Sequence, residues 1–141
     1  MARHRGREIA LRVLFEHDLA HTEPKDLLDY ALADESDVNR QFARALVQGT
    51  SDHMEALDSR IARAAIDWKL NRMPTIDRNI LRLATYEMLY SMDVPISVII
   101  SEALELAQDY STTDAKKFVN GVLSTLAREI RPEGDQDRPT T

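Results

Sequence analysis

Apolar residues recur at steps of three and four along most of the chain, and no stretch shows the strict alternation typical of a strand. The pattern therefore predicts an all-α protein. A first helix is expected over residues 5–20, where apolar positions cover more than one face. A short second helix is expected through residues 27–31, with Thr22 as its cap ahead of Glu23-Pro24.

The middle of the chain leaves two interpretations open. A third helix should follow Asp37, its predicted cap, and the apolar period then continues as far as Trp68. Gly49 interrupts that period, so residues 38–67 form either one long helix or two. A glycine weakens a helix interior by about 1 kcal/mol, yet it also lets a neighbouring helix pack closely. Residues 68–74 are predicted to be a connector, with Trp68 in the core.

The strongest helical pattern begins at Thr75, its predicted cap, and ends before Pro95. Because it is apolar on much of its circumference, it is predicted to be the central helix of the fold. Two further helices follow, separated by a turn at residues 111–113. The pattern thus predicts six or seven helices in one compact bundle over residues 1–131, followed by a polar, disordered tail over residues 132–141.

Composition removes several classes of function. The 141 residues include no cysteine, which excludes disulfide scaffolds and thiol catalysis and fits a cytoplasmic protein. No apolar run approaches the roughly 20 residues needed to span a bilayer. His17 and His21 are four residues apart but lack a third ligand, so neither a metal site nor a cofactor is predicted. No catalytic constellation or glycine-rich phosphate loop is present either, and the protein is predicted to bind rather than to catalyse.

Charge is distributed unevenly along this acidic chain, whose net charge is −6. Residues 1–12 hold four arginines against one glutamate, whereas residues 23–37 hold six carboxylates against one lysine. The basic residues at the start of the first predicted helix are Arg3, His4, Arg5 and Arg7. Guanidinium groups match phosphate oxygens, so this cluster is the main candidate for binding nucleic acid. The alternative is an ordinary solvated terminus.

Other residues have simpler structural explanations. Arg78 and Arg82 share one helix face and are expected to pair with carboxylates close in the sequence. Phe118 follows Lys117 and could stack on a base, although a core phenylalanine is the better interpretation of the pattern alone. Gly121, inside the last helix, is expected to let a neighbouring helix approach.

Five segments taken together resemble the NusB family, in order and at family-like spacing. They lie at residues 7–15 (REIALRVLF), 42–49, 68–87 (with RMPTIDRNILRLATYE at 72–87), 94–107 and 118–123 (FVNGVL). The resemblance covers about residues 3–126. It implies two packed helical sub-bundles and a role in bacterial transcription antitermination.

The resemblance also implies partners and site residues. The expected partners are the single-stranded boxA element of ribosomal RNA leaders, the small-subunit ribosomal protein S10 (NusE) and the antitermination complex on RNA polymerase; a homodimer is also open. Carried over position by position, the expected RNA-binding residues are Arg3, His4, Arg5, Arg7, Asp114, Lys117 and Phe118. The expected residues of the partner-protein interface are Phe15, Asp77 and Arg82.

Two rival interpretations remain open. One is a helical adaptor that binds only proteins. The other is an orphan RNA-binding module related to the N-terminal domain of ribosomal RNA cytosine methyltransferases, whose nucleophile is a cysteine; this chain has none.

Overall fold

The computed structural model describes residues 2–65, 69 and 72–135. Within these residues the chain forms seven helices and no strand, as the apolar period predicts. They are α1 (Ala2–Ala20), α2 (Pro24–Ala31), α3 (Asp37–Asp52), α4 (Met54–Ala64), α5 (Thr75–Tyr90), α6 (Ile96–Tyr110) and α7 (Thr113–Ile130). The predictions for Trp68 and for residues 136–141 lie outside the described residues.

Several helix ends differ from those predicted. The side chain of Ser36 caps α3 by accepting a hydrogen bond from the Asn39 amide at 3.3 Å, so the predicted cap at Asp37 is wrong by one residue. Glu23, not Thr22, precedes α2, and its side chain makes no capping bond. Pro24 at the first helical position has no backbone N–H group that needs an acceptor, so a capping side chain would stabilise this helix start less.

Two helices, rather than one, occupy the middle of the chain. The break falls at His53, which ends α3 and starts α4. Gly49 therefore lies inside α3 and does not end it. The ring of Tyr86 on α5 packs so closely over Gly49 that a β-carbon there would collide with it. Gly49 thus allows α3 and α5 to pack closely. Close packing was one of the two effects expected of this glycine, and a break in the helix was the other.

Helix α5 is the centre of the bundle, as predicted. It packs against α1 and α3 on one side and against α4, α6 and α7 on the other. Helices α1, α2 and α3 contact one another, and α6 packs along α7, so α5 joins two sub-bundles. Much of the apolar surface of α5 is buried, and its completely or nearly buried residues include Ile80, Leu81, Leu83 and Met88.

Several polar residues of α5 are also buried, which the apolar pattern does not predict. Asp77, Asn79, Arg82 and Glu87 each have less than a tenth of their surface exposed. Burying such groups is costly unless each finds a partner. Their partners come from other helices, and these contacts fix how α1, α4 and the α6–α7 turn sit against α5.

The ordered bundle continues past the boundary predicted at residue 131. Arg131 is buried and donates to the backbone carbonyls of Met88, at 3.0 Å, and Val94, at 2.8 Å. Asp135 accepts a 2.9 Å bond from Arg131 and a 3.0 Å bond from the Ile96 amide at the start of α6. The residues directly after α7 therefore hold the α5–α6 connection in place.

Candidate nucleic-acid interface

The N-terminus of α1 carries cations where a helix normally favours acids. Helix α1 starts at Ala2, three residues earlier than predicted, and its first turn has no carboxylate. Cations there face the positive end of the helix dipole, an unfavourable arrangement that costs a few tenths to about 1 kcal/mol each. Carboxylates from elsewhere in the fold compensate. An Arg3 nitrogen lies 3.8 Å from Asp93, and Arg5 donates to Glu35 at 2.9 Å.

Arg7 is held inside the protein. It forms a two-bond ion pair with Glu87 of α5, both bonds being 2.8 Å, and both residues are 2% exposed. Its guanidinium also lies 5.2 Å from the centre of the Phe42 ring. A side chain held in this way cannot reach an RNA phosphate. In this structure Arg7 joins α1 to α5, and its expected contact with RNA stays a prediction that burial does not favour.

His4 pairs with α6. Its Nδ1 donates to Glu102 at 2.5 Å, and its Nε2 lies 3.7 Å from a Glu105 oxygen. The hydrogen bond to Glu102 raises the pKa of His4 above its ordinary value of 6.5, and the charges of Glu102 and Glu105 act in the same direction. His4 therefore keeps its positive charge to a higher pH than a free histidine does. Four-fifths of its side chain is buried, so its exposed part is small.

Arg3 and Arg5 are the arginines that this cluster presents to solvent. About half of the Arg3 side chain is exposed, as is 44% of Arg5. Arg3 also lies over the Phe42 ring, 5.2 Å from its centre. Exposed ion pairs such as Arg5–Glu35 are worth about 0–1 kcal/mol, so a phosphate can compete for the guanidinium.

The second predicted group lies at the start of α7. Asp114 and Lys117 are exposed in its first turns, and Thr112 caps the helix by accepting a 3.2 Å bond from the Ala115 amide. Phe118 is half-buried and packs against the core. The interpretation of Phe118 as a core residue is therefore confirmed in part, because its side chain is only partly buried.

A groove on the outer side of α6 connects the two groups. It has a volume of about 540 Å³, and its lining includes Ser101, Glu105, Gln108 and Lys116. Glu105, which lies 3.7 Å from His4, and Lys116, which donates to Gln108 at 2.9 Å, both line this groove. The fold thus brings the start of α1 and the start of α7 to the same groove, although they are more than 100 residues apart in the sequence.

Two of the three residues expected at a protein interface are buried. Asp77 is 3% exposed and accepts a 2.5 Å bond from the Ser111 hydroxyl. Burial raises the pKa of Asp77 above its usual range. Arg82 is 8% exposed and makes two bonds to Asp58, at 2.7 and 2.8 Å. Both residues fix the fold and offer little surface to a partner, and their predicted role at an interface stays a prediction. Phe15 is half-buried and stays a prediction.

A charged network between three helices was missed by sequence reasoning. Asp18 of α1 accepts bonds from Arg78 at 2.9 Å and from Arg82 at 3.1 Å, while Asp58 of α4 holds Arg82 from the other side. Among the described residues, the carboxylates that Arg78 and Arg82 contact lie 24 to 64 residues away, and no local spacing signals these pairs. Asp67, one of the nearby carboxylates expected to pair with them, lies outside the described residues.

His17 and His21, the histidine pair considered in the sequence, lie at the end of α1 and just after it. His21 adopts a positive φ of 58° just after α1, and His17 donates to the Thr22 carbonyl at 2.7 Å. Among the described residues, the ligand atoms of His4, Glu105 and Asp109 lie within 4.8 Å of one another, and these three could hold a cation. No helix in the described part of the chain is long and apolar enough to cross a membrane.

The fold and this interface define a small all-helical binding protein with exposed arginines at one helix start. The sequence profile of the NusB family matches residues 4–128. The chain belongs to the NusB family, and the family resemblance read from its motifs is confirmed.

Two relatives show how far the similarity extends. The transcription antitermination protein NusB of Desulforamulus reducens is 47% identical over 129 residues, which are 89% of this chain and 90% of that protein. The protein of the same name from Heliobacterium modesticaldum is 46% identical over 133 residues, 93% of this chain. The chain spans 65% of the length of that second relative.

Solved structures agree with the fold. NusB of T. maritima has a TM-score of 0.90 and 36% identity, covering 96% of this chain and 97% of that one. A crystal structure of the antitermination factors NusB and NusE in complex with double-stranded RNA contains a chain with a TM-score of 0.84 and 27% identity. The match covers 91% of this chain and 97% of that one. The prediction of an all-α bundle with two sub-bundles is confirmed.

Proposed function

We propose that this chain is a transcription antitermination factor that binds boxA-type single-stranded RNA together with ribosomal protein S10 (NusE). It acts as a non-enzymatic adaptor in the cytoplasm, within the antitermination complex on RNA polymerase, and residues 1–131 form the binding domain. The observation that carries the proposal is the pair of exposed arginines, Arg3 and Arg5, at the start of α1 in a chain of this family.

The helix start supplies a physical reason for anion binding there. An anion relieves the conflict between the cations and the helix dipole, and it finds backbone N–H groups that have no partner within the helix. Arginine can offer a phosphate two parallel hydrogen bonds. Arg3 and Arg5 are therefore the proposed phosphate contacts, while His4 adds positive charge and Arg7 holds the helix against α5.

The start of α7 is the second part of the proposed surface. Lys117 is an exposed cation, and the partly buried Phe118 beside it is the proposed aromatic contact for one base. Asp114 is exposed beside them and would repel phosphate, so it limits affinity and sets the path of the strand. The groove along α6 carries Glu105 and Asp109, so its lining includes acidic groups. The proposed RNA contacts are accordingly the exposed cations at the starts of α1 and α7, not the groove lining itself.

The proposed partner follows from the comparisons. The structural neighbour described above joins NusB to NusE and RNA, and this chain has the same fold over 91% of its length. Phe15, on the half-buried face of α1, is the one predicted interface residue that is not buried. An acidic chain binds a polyanion weakly on its own, so a basic ribosomal protein beside it enlarges the surface available to RNA.

The decisive experiment is a titration of fluorescein-labelled boxA-type RNA followed by anisotropy, with and without S10. The variant Arg3→Gln with Arg5→Gln should raise Kd and reduce the slope of log Kd against log salt by about 0.7 for each lost phosphate contact. Arg63→Gln, an exposed arginine of α4, is the matched control. Competition with a scrambled RNA and with duplex RNA reports sequence and strand preference.

Each outcome of that titration has one meaning. Weaker binding by the double variant and unchanged binding by Arg63→Gln support the proposed site. Equal binding by all three proteins removes the N-terminal assignment. If no RNA binds with or without S10, while S10 itself binds the chain, the protein is an adaptor for proteins only.

A further inference from the structure

A second cleft lies between α1 and α2, and Arg5 is the proposed phosphate contact that lines it. Its volume is about 230 Å³, and its lining includes Arg5 and Arg12 of α1 and Tyr30 of α2. Ile9 and Val13, both buried, form part of its apolar floor. The cleft shares Arg5 with the basic cluster, so it is continuous with the proposed RNA surface.

Tyr30 is the most exposed of the large hydrophobic residues in the described part of the chain. It is 88% exposed on the short helix α2, so its ring contributes little to the core. Base–aromatic stacking needs a ring with an open face, and Tyr30 offers one. Arg12, also exposed, lines the same cleft and supplies a guanidinium for the phosphate of the stacked nucleotide.

The size of the cleft limits what it can hold. Pockets for drug-sized molecules and cofactors occupy about 300–1,000 Å³, and this cleft is smaller. One nucleobase fits this volume. The cleft offers it apolar contacts with Ile9 and Val13, the ring of Tyr30 and the guanidinium of Arg12.

Helical geometry places the cleft along the path of a strand that starts at the basic cluster. Arg5 and Arg12 are seven residues apart, hence two turns apart on one face of α1, with a rise of about 10 Å. Arg12 therefore extends the row of exposed cations beyond Arg5. A strand bound at Arg3 and Arg5 can reach Arg12 without leaving α1.

Nearby carboxylates argue against binding of a free nucleotide. Glu16 lines the cleft, and Glu35 holds Arg5 at its edge. The positive and negative charges around the cleft are thus nearly balanced, and a single phosphate would gain little electrostatic binding energy there. A nucleotide that belongs to a strand already held elsewhere arrives at a high effective concentration, so a modest subsite adds measurably to its affinity.

We infer that the cleft between α1 and α2 is a nucleotide subsite for single-stranded RNA, in which Tyr30 stacks on a base and Arg12 contacts its phosphate. The inference rests on the proposed function and extends its RNA surface along α1.

The test uses the full chain and the labelled boxA-type RNA, with Tyr30→Ala, Tyr30→Phe and Arg12→Gln beside Arg63→Gln. Tyr30→Ala should raise Kd about fivefold or more, the effect of losing one stacked base, whereas Tyr30→Phe should stay within about twofold. Arg12→Gln should lower the salt slope by about 0.7. Thermal denaturation checks folding, and little change is expected because both side chains are exposed.

RNA shortened one nucleotide at a time locates the stacked base. Removing it should weaken binding to the unaltered protein but not to Tyr30→Ala, because the interaction is already absent there. Three results overturn the subsite: unchanged binding by Tyr30→Ala, equal loss in Tyr30→Phe and Tyr30→Ala, or equal effects of Arg12→Gln and Arg63→Gln. If Arg3→Gln still weakens binding in those cases, the proposed function survives. If Arg3→Gln has no effect either, both proposals fail.

Discussion

Arg7 and Glu87 face each other through two hydrogen bonds of 2.8 Å, and this buried pair ties the start of α1 to the last turns of α5. Glu102 of α6 lies 4.0 Å from the same guanidinium, so three helices meet at one cation. A residue that belongs to an arginine cluster in the sequence is therefore part of the core, and this changes what its substitution would report.

Breaking that pair on one side should destabilise the protein strongly. Arg7→Met leaves Glu87 buried without its partner, which typically costs about 3–5 kcal/mol, whereas replacing both partners by apolar residues is often nearly neutral. The free energy of unfolding in urea should therefore fall in Arg7→Met and recover largely in Arg7→Met with Glu87→Leu. A loss of less than about 1 kcal/mol in the single variant would show that the pair adds little to the fold.

Two helical glycines should respond in opposite directions to alanine. Gly121 is exposed, and a β-carbon there meets nothing within 4 Å, so Gly121→Ala should stabilise α7 by up to about 1 kcal/mol. Gly49→Ala gains the same helix propensity but pushes into the Tyr86 ring, and should destabilise the protein. Thermal unfolding of the two variants compares them directly. A higher Tm for Gly49→Ala would contradict the close packing of α3 on α5.

The bond between His4 and Glu102 should make stability depend on pH in a known direction. The pKa of His4 is raised in the folded protein, so folding favours the protonated ring. That contribution is fully present below the ordinary pKa of 6.5 and is lost as pH rises through the raised value. The difference in unfolding free energy between the native chain and His4→Gln should shrink across that range. A difference that grows with rising pH would contradict the assigned pair.

Asp77 should prove to be a structural residue. Its carboxyl is buried with a raised pKa, so the neutral amide of Asp77→Asn should keep the Ser111 bond and leave stability at neutral pH equal or higher. Ser111→Ala removes the donor and should cost about 1–3 kcal/mol. Urea denaturation measures both. Binding of S10 by folded Asp77→Asn should match that of the native chain, and a clear loss would restore Asp77 to the interface.

The differences between the sequence predictions and the structure share one physical cause. The sequence identified Arg3, Arg5 and Arg7 as one cluster, yet even Arg3 and Arg7, which share one helix face and both lie 5.2 Å from the Phe42 ring, differ in burial because only Arg7 is covered by other helices. Arg3 and Arg5 keep much of their surface in solvent, while Arg7 turns into the bundle. Spacing of three and four residues reveals the buried face of a helix when the residues are apolar. The same spacing does not reveal whether an arginine is buried, because the burial of Arg7 depends on a carboxylate 80 residues away.

Glycine positions show the same limit. Gly121 looked suited to a close helix contact and faces open space, whereas Gly49, which looked like a candidate break, is the residue that the Tyr86 ring covers. Both lie within helices, so local sequence could not distinguish them. The actual break at His53 has no glycine or proline to mark it.

The sequence by itself determined the all-α class, the central position of α5 and the family, because apolar periodicity and ordered motifs are local properties of the chain. Tertiary structure decided which charged side chains are buried and which reach solvent. That choice depends on contacts between residues far apart in the sequence, such as Arg82 with Asp58 or His4 with Glu102. The cost of burying an unpaired charge fixes those partners only once the helices have packed.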